Sequence, residues 1–419
     1  MESTQLDFDR RHLDAVRDAN APALPDKLIT VDPAAPRGAF EARGPAVHVL
    51  TWRLLDYDGE DLTYGGQQRW LLELSHALNA QGRPVVVHQR AHAPFERRLR
   101  EGLTVRGHAC STRALGSPQF NVLAHRAIER DAAVVYMVED LAFPHCRRHS
   151  IVVQHGIWWD GEYSWLKVRL AERIVRHVVR RAGAVVCVDT NFINWYRARW
   201  PDSGHDHKLH YLPNFIDPGQ WGPQPIEPAA RCRAGDPVTI CFPRRSEPRR
   251  GIWLMAAVAP KLAERYPNTQ FRFVVGSGYR TQQLRQRLVG SGLAADRWTL
   301  ESLPFQRMRE AYADSAIAVV PTTCGEGTSL SAIEAMYFGC AVVATWVGGL
   351  PNLIQHEHNG LLIAPHETAL ENALARLIED AELRVRLGHT AMTATPRLYG
   401  LERWQRGLQP LLTHTLQQC

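Results

Sequence analysis

The stretch "AIAVVPTTCGEGTSLSAIEAMYFGCAVVAT", residues 316–345, decides the fold. Its two ends, "AIAVVP" and "AVVAT", are short apolar runs that read as strands buried on both faces. Between them the apolar residues recur at helical spacing from Leu330 to Phe338 and stop at Gly339, a typical glycine C-terminal signal. Strand, turn, helix and strand form one β-α-β unit. Two glutamates sit on either side of the helix start, Glu326 before it and Glu334 one turn inside, with small residues between. An ordinary amphipathic helix also carries glutamates. The turn "GEGTS", however, aims free backbone N–H groups outward, and helix N-termini favour anions through those donors and the macrodipole. A phosphate is the natural guest there. Glu326 can then accept hydrogen bonds from hydroxyls, and Glu334 can grip a vicinal diol such as a ribose.

The same alternation runs outward in both directions. Upstream of the unit lie strand "VTICFP", helix "GIWLMAAVAPKLAERYP", strand "FRFVVGS", helix "RTQQLRQRLVG", strand "RWTLES" and helix "FQRMREAYADS". An earlier series begins with strand "AVHVLTW", a long loop, helix "QQRWLLELSHALNAQG" and strand "PVVVHQ", and continues with the strands "AVVYMV", "SIVVQH" and "AVVCVD". Between the two series five prolines from 218 to 237 defeat both helix and sheet. The expected organisation is an extension over 1–45, a Rossmann-like domain over 46–217, a linker over 218–236, a second Rossmann-like domain over 237–395, and a helical segment over 396–419 interrupted by Pro410. That is an α/β chain of two doubly wound halves. Ligands of such sheets bind beyond the carboxyl ends of the strands, so the chemistry is expected in the cleft between the halves.

The chain has 419 residues, 45% hydrophobic and 22% charged, enough for two or three cored domains. The formal charge of +6 rests on arginine, since only four of the 49 basic residues are lysine. Arginine suits phosphate and carboxylate recognition; so mild an excess does not argue for nucleic acid. The eight cysteines are scattered with no C-x-x-C pair, as in a reduced, cytoplasmic protein. The N-terminus has no apolar core of a leader, and no apolar run approaches the roughly 18 residues of a membrane span.

"CGEGTSLSAIEAMYFGCAVVATWVGGLPNLIQHEHNGLLIAP" resembles the signature of family-4, or group 1, glycosyltransferases, with its E-x7-E, "EAM…G", "VVAT", "GG" and "NGLL" elements in order. The similarity extends to "YGGQQRWLLELSHALNAQGRPVVV", "QHG", "LPNFID", "FPRRSEPRRG" and "VVGSG", and so from about residue 46 to the C-terminus. It implies the GT-B fold, two Rossmann-like domains facing across a cleft. It also implies a metal-independent hexosyl transfer, with retention of configuration, from a nucleotide-diphosphate sugar to a glycan, lipid-linked or small-molecule acceptor in bacterial cell-surface polysaccharide or glycoconjugate synthesis. No cofactor is implied.

Carried over by resemblance, Glu326 holds hydroxyls of the donor sugar and Glu334 those of the ribose, while backbone amides around Gly327, Thr328, Ser329 and Leu330 face the sugar and diphosphate. Arg245 matches the family arginine and Arg250 the position more often occupied by lysine, with Arg244 and Arg249 as alternatives in the doubled pairs. His155 matches the histidine that lies against the donor sugar. Gly65 and Gly66 bring the first loop near the diphosphate and the acceptor, Gly276 belongs to "VVGSG", and Leu303 with Pro304 offers backbone groups to the base. The leaving phosphate takes the acceptor's proton. "FPRRSEPRRG" is also similar to a segment of bacterial rhamnosyltransferases, which makes deoxythymidine-diphosphate rhamnose a candidate donor. A nucleotide-sugar-binding subunit without catalysis is the alternative.

Other signals carry less. Asp56-Tyr57-Asp58 has the D-x-D form of a metal-holding glycosyltransferase fold but lies in an acidic loop after the first strand; no metal is expected. The histidines of "GHDHKLH" and "HCRRH" lack zinc spacing. "WLKVRLAERIVRHVVRRA" lines Leu166, Leu170, Ile174 and Val178 along one helical face and Arg169, Arg173, Arg176 and Arg180 along another. A core-packed helix with a solvated arginine face and a helix lying on an anionic membrane both fit that pattern, and the second would make the protein peripheral at the inner membrane face.

Overall fold

The computed structural model describes residues 40–63, 65–111, 116–161, 163–221, 227–231, 236–276 and 279–416. The expected 1–45 extension lies outside these residues up to position 39, as do parts of the expected linker. The first half is built from β1 (Val47–Leu50), α1 (Gly66–Ala80), β2 (Val85–Ala91), β3 (Phe95–Arg100), β4 (Leu103–Ala109), α2 (Gly116–Arg126), β5 (Ala133–Tyr136), β6 (Ser150–Gln154), α3 (Trp165–Arg181), β7 (Ala184–Cys187), α4 (Thr190–Arg199) and β8 (Leu209–Tyr211). Its eight strands run in the order β3-β4-β2-β1-β5-β6-β7-β8, parallel except where β3 pairs with β4. The second half comprises β9 (Val238–Pro243), α5 (Ile252–Arg265), β10 (Thr269–Val274), α6 (Tyr279–Gly290), β11 (Trp298–Glu301), α7 (Met308–Ala313), β12 (Ile317–Val320), α8 (Leu330–Tyr337), β13 (Ala341–Thr345), β14 (Leu361–Ile363), α9 (Glu367–Glu379) and α10 (Ala381–Tyr399). Its six strands are all parallel, in the order β11-β10-β9-β12-β13-β14.

The central strands β1, β5, β6, β7, β12 and β13 are buried at every position. Helices on both faces demand this, and it is why these strands read as unbroken apolar runs. β3 and β4 are not among the strands expected from the sequence. "FERRLR" is a charged edge and "LTVRGHA" alternates between buried and part-buried positions, so neither shows a continuous apolar run.

The chain crosses between the halves twice, and the crossings lie side by side: Ile216 N–H donates to the Tyr399 carbonyl at 2.8 Å and Leu401 N–H to that of Ile216 at 2.9 Å. After the second crossing α11 (Leu401–Leu416) packs on the first half, with Trp404 5.0 Å from Trp70 and 4.6 Å from Phe215. Two expectations are corrected here. The boundary at 395/396 falls inside the continuous helix α10, and Pro410 does not interrupt α11. A proline inside a helix costs about 3 kcal/mol. The buried row Trp404, Leu408, Leu412 and Leu416 offsets this, since each such side chain contributes roughly 1.5–3 kcal/mol.

Candidate active site

Parallel order brings the carboxyl ends of both sheets face to face, and the turn between β12 and α8 lies at the contact. Gly156, just past β6, has φ +106°, and a Cβ on it would fall 2.6 Å from Gly327 N; a Cβ on Gly327 would fall 2.7 Å from the His155 carbonyl. Glycine is required on both sides because two backbones meet there. Thr328 Oγ1 donates to the Val188 carbonyl at 3.0 Å and accepts from Asn214 N–H at 2.9 Å. Its carbonyl accepts from Asn214 Nδ2 at 2.6 Å, so this threonine joins the halves with side chain and carbonyl, and its N–H is the group it offers a ligand.

Glu326 is buried at 7% exposure, and its Oε2 accepts from Arg244, from Arg250 Nη1 at 2.6 Å and from Thr322 Oγ1 at 2.8 Å. Burial alone would push this carboxyl up; the two guanidiniums outweigh it and hold it below the ordinary glutamate value. Arg244 also donates to Ser329 Oγ, the N-cap residue of α8. That hydroxyl makes no cap to its own helix, so no side chain occupies the first-turn N–H groups. The site is thus a buried carboxylate, two cations and an uncapped helix start at one point.

The expectation for Arg245 is corrected. Its side chain is 69% exposed and reaches only Glu247, at 3.5 Å. β9 ends at Pro243, and successive side chains there point to opposite sides, so Arg244 turns across the strand ends toward Glu326 while Arg245 turns away. Arg250 sits where expected, on the turn Pro248–Arg250, held because Thr323 N–H donates to the Arg249 carbonyl at 2.9 Å. Gly251 follows with φ +79°, and a Cβ there would lie 1.9 Å from the Pro321 carbonyl oxygen.

Glu334 is separate from this cluster. Its Oε1 accepts from Arg69 Nη1 at 2.5 Å and its Oε2 from Tyr312 Oη at 2.8 Å. Arg69, one turn into α1, lies 4.8 Å from the Phe305 ring, so the first half reaches across to the carboxylate and a diol at Glu334 would share it. Gly66 also touches α8, since a Cβ on it would come 2.9 Å from Leu330 Cδ1, whereas Gly65 is the extended residue preceding α1. Leu303 is packed against Cys241, Val274 and Ala311, next to Phe305. Gly276 is exposed with nothing within 4 Å of its Cβ position; the rest of "GSG" lies outside the described residues.

His155 closes β6 beside Trp70, ring centroids 6.4 Å apart. Burial pushes its imidazole down to about 4, against the opposing effect of a hydrogen bond to the Met137 backbone, so the ring is neutral at neutral pH. Its Nε2 is buried with no hydrogen-bond partner. A neutral acceptor left unpaired at a cleft fits a ligand hydroxyl.

Sequence reasoning missed Arg244 as first choice, Arg69, Tyr312 and Glu139. Glu139 follows β5 and accepts from Trp158 Nε1 at 3.0 Å; burial first, and neighbouring Asp140 second, push its carboxyl up to about 7. No spacing motif marks a single glutamate in "VEDLAF"; only burial at a strand end reveals it. Gly348 and Gly349 are buttresses: a Cβ on Gly348 would meet the Glu326 carbonyl oxygen at 1.9 Å, to which Gly349 N–H donates at 3.0 Å. Among the described residues no group of three or more His, Cys, Asp or Glu side chains is placed to hold a metal.

Comparison with known proteins agrees with this architecture. Residues 236–380 match the family described as "Glycosyl transferases group 1". The chain is 30% identical over 159 residues to a D-inositol 3-phosphate glycosyltransferase of Corynebacterium efficiens, covering 36% of this chain and 37% of that protein. It is 25% identical over 287 residues to a GDP-mannose-dependent alpha-(1-6)-phosphatidylinositol monomannoside mannosyltransferase of Mycolicibacterium smegmatis, covering 65% and 71%. Among solved structures, sucrose-phosphate synthase from Thermosynechococcus elongatus superposes with a TM-score of 0.73 at 19% identity over 90% of this chain and 100% of that one. HepE from Anabaena, solved with UDP, superposes with 0.66 at 16% identity over 88% and 100%. The chain therefore has the GT-B fold, and its second half matches the group 1 glycosyltransferase family.

Proposed function

We propose that the chain is a retaining, metal-independent glycosyltransferase that moves a hexose from a nucleotide-diphosphate sugar to a glycan, lipid-linked or small-molecule acceptor in bacterial cell-surface polysaccharide or glycoconjugate synthesis. The observation that carries this reading is Glu326 held between Arg244 and Arg250 at the uncapped start of α8. A departing diphosphate gains negative charge as the bond from its oxygen to the sugar carbon breaks. Two fixed guanidiniums and oriented backbone N–H groups stabilise that charge without reorganising, which is where catalytic advantage arises. In this reading they supply the charge for which other folds use a metal. Glu326 and His155 orient the sugar hydroxyls and Glu334 the ribose. The acceptor oxygen forms the new bond on the face the diphosphate leaves, and its proton passes to the leaving phosphate oxygen.

The donor is left open between bases, because the mycobacterial relative is named for GDP-mannose and HepE was solved with UDP. The test is a panel of UDP-glucose, GDP-mannose and deoxythymidine-diphosphate rhamnose, read by thermal shift and by slow release of nucleotide, with and without chelator. A donor at a hundredfold excess over Kd stabilises by about 2.7 kcal/mol. One panel member should stabilise the chain and be hydrolysed equally in chelator. Stabilisation with no nucleotide release would identify a binding subunit, and release only with added metal would end the metal-independent reading.

A further inference from the structure

The first half holds a charged group that sugar transfer, as described, leaves unused. Arg90 lies at the carboxyl end of β2 and is 1% exposed. Its guanidinium carbon is 4.1 Å from the centroid of the Trp52 ring. Its Nε and Nη1 are buried without any hydrogen-bond partner, and among the described residues it forms no ion pair. Buried N–H donors left without acceptors are unfavourable, and an oxyanion would satisfy both at once.

A second feature converges on the same point. The N-terminus of α2 is pressed against the guanidinium: a Cβ on Gly116 would fall 3.1 Å from Arg90 Nη1 and 1.8 Å from the Ser111 carbonyl oxygen. The first turn of α2 carries no acidic residue. A helix start and an arginine repel one another electrostatically, so an anion between them is favoured beyond what the Asp140 carboxylate at Ser117 supplies. The nearby carboxylate, Asp140, accepts from Ser117 Oγ at 3.1 Å and feels the charge of Arg90, but it leaves Arg90 Nε and Nη1 without a hydrogen bond. This edge is also the one that carries His155 and Glu139, with Trp52 and the exposed Trp158 as aromatic faces.

We propose that Arg90 and the first turn of α2 form an oxyanion site in the acceptor half, so that the acceptor of this enzyme carries a phosphate group. The site follows from the geometry alone; the word acceptor rests on the glycosyl-transfer reading above. A phosphate has oxygens enough for both the arginine fork and the helix N–H groups, and charge-assisted bonds of this kind are the strong ones.

The test uses the full chain with inorganic phosphate as probe, followed by thermal shift and tryptophan fluorescence, in wild type, Arg90→Met, Arg90→Lys and Arg250→Gln. Without phosphate, Arg90→Met should melt higher than wild type, because two buried donors without acceptors have gone. It should also bind phosphate at least about tenfold more weakly, the minimum expected for one charge-assisted hydrogen bond. Arg90→Lys should recover part of that affinity, and Trp52→Phe should lose the fluorescence response alone. Arg250→Gln should keep this binding event while losing nucleoside diphosphates, which Arg90→Met should still bind. An Arg90→Met chain that melts lower and binds phosphate like wild type would make Arg90 a structural residue and overturn the proposal. If wild type binds no nucleotide sugar while phosphate still depends on Arg90, the anion site stands and it is the acceptor assignment that falls.

Discussion

Arg244 and Arg245 are neighbours in sequence and opposites in environment, and the pair gives the sharpest residue-level test. Arg244 is buried against Glu326, Ser329 and Thr322, whereas Arg245 is mostly solvated. Hydrogen bonds to charged groups contribute about 1.5–3 kcal/mol each, so Arg244→Gln or Arg250→Gln should lower turnover by roughly ten- to more than a hundredfold. Arg245→Gln, made in parallel, should leave turnover within about twofold, since exposed charges contribute about 0–1 kcal/mol. Equal losses at 244 and 245 in steady-state assays would contradict the assignment. His155 makes a second test through its proton. Its folded value of about 4 lies below the ordinary histidine value, so the ring stays neutral from neutral pH down through 5 and charges only near 4. Nitrogen chemical shifts of labelled imidazole should therefore stay flat for His155 between pH 8 and 5; a midpoint near 6.5 would show the ring to be solvated instead.

At the scale of elements, the loop from β9 to α5 positions Arg250, and it is shaped by one glycine. Gly251 combines φ +79° with a Cβ position 1.9 Å from the Pro321 carbonyl oxygen, so Gly251→Ala must move either the loop or β12's exit. Strained positive φ and the clash together should lower unfolding free energy by at least about 2 kcal/mol, read as a lower urea midpoint at unchanged slope. Turnover should fall too, because Arg250 moves with the loop; an alanine chain as stable and active as wild type would mean the turn relaxes freely. The repeated strand-helix units were legible because buried parallel strands leave apolar runs that little else produces. β3 and β4 were not, since an edge hairpin of charged and alternating residues has no such signature. Pro410 misled for a related reason: local propensity opposes helix there, and the buried row from Trp404 to Leu416 that overrides it acts only after folding. The site divided in the same way. The two glutamates announce themselves by spacing and Arg250 by the family resemblance, whereas the choice of Arg244 over Arg245, and the contact from Arg69, depend on where a strand stops and how the halves meet.

At the scale of the whole molecule, basic side chains gather on one end of the first half. Arg126, Arg130, Arg147, Arg148 and Arg181 line a cavity of about 950 Å³ with Asp131 as its one carboxylate, and Arg180 and Lys208 join Arg148 and Arg181 around a second of about 460 Å³. These positions precede β5, β6 and β7, so they lie at the end of the sheet opposite the cleft. From there α3 runs back to the cleft rim, its arginines Arg169, Arg173 and Arg176 outward and its first turns exposing Trp165 at 72%, Leu166 at 61% and Leu170 at 56%. At the rim Asp160 Oδ1 accepts from Gly325 N–H at 2.9 Å, one residue from Glu326. Of the two readings the amphipathic pattern allowed, a wholly core-packed apolar face does not fit leucines so exposed. A basic face with aromatic and aliphatic tips suits an anionic bilayer, where each basic residue near the surface contributes about 1 kcal/mol and the attraction decays within a Debye length, roughly 10 Å at 0.1 M salt. Among the described residues no helix is long and apolar enough to cross a membrane. The expected result is co-sedimentation with phosphatidylglycerol-containing vesicles at low salt, released at about 0.5 M salt. Trp165→Glu with Leu166→Glu should abolish it while leaving nucleotide binding intact, because both side chains are mostly solvent-exposed. Equal binding to neutral phosphatidylcholine vesicles, or binding that survives both glutamates, would show that this face is not an anionic-bilayer surface.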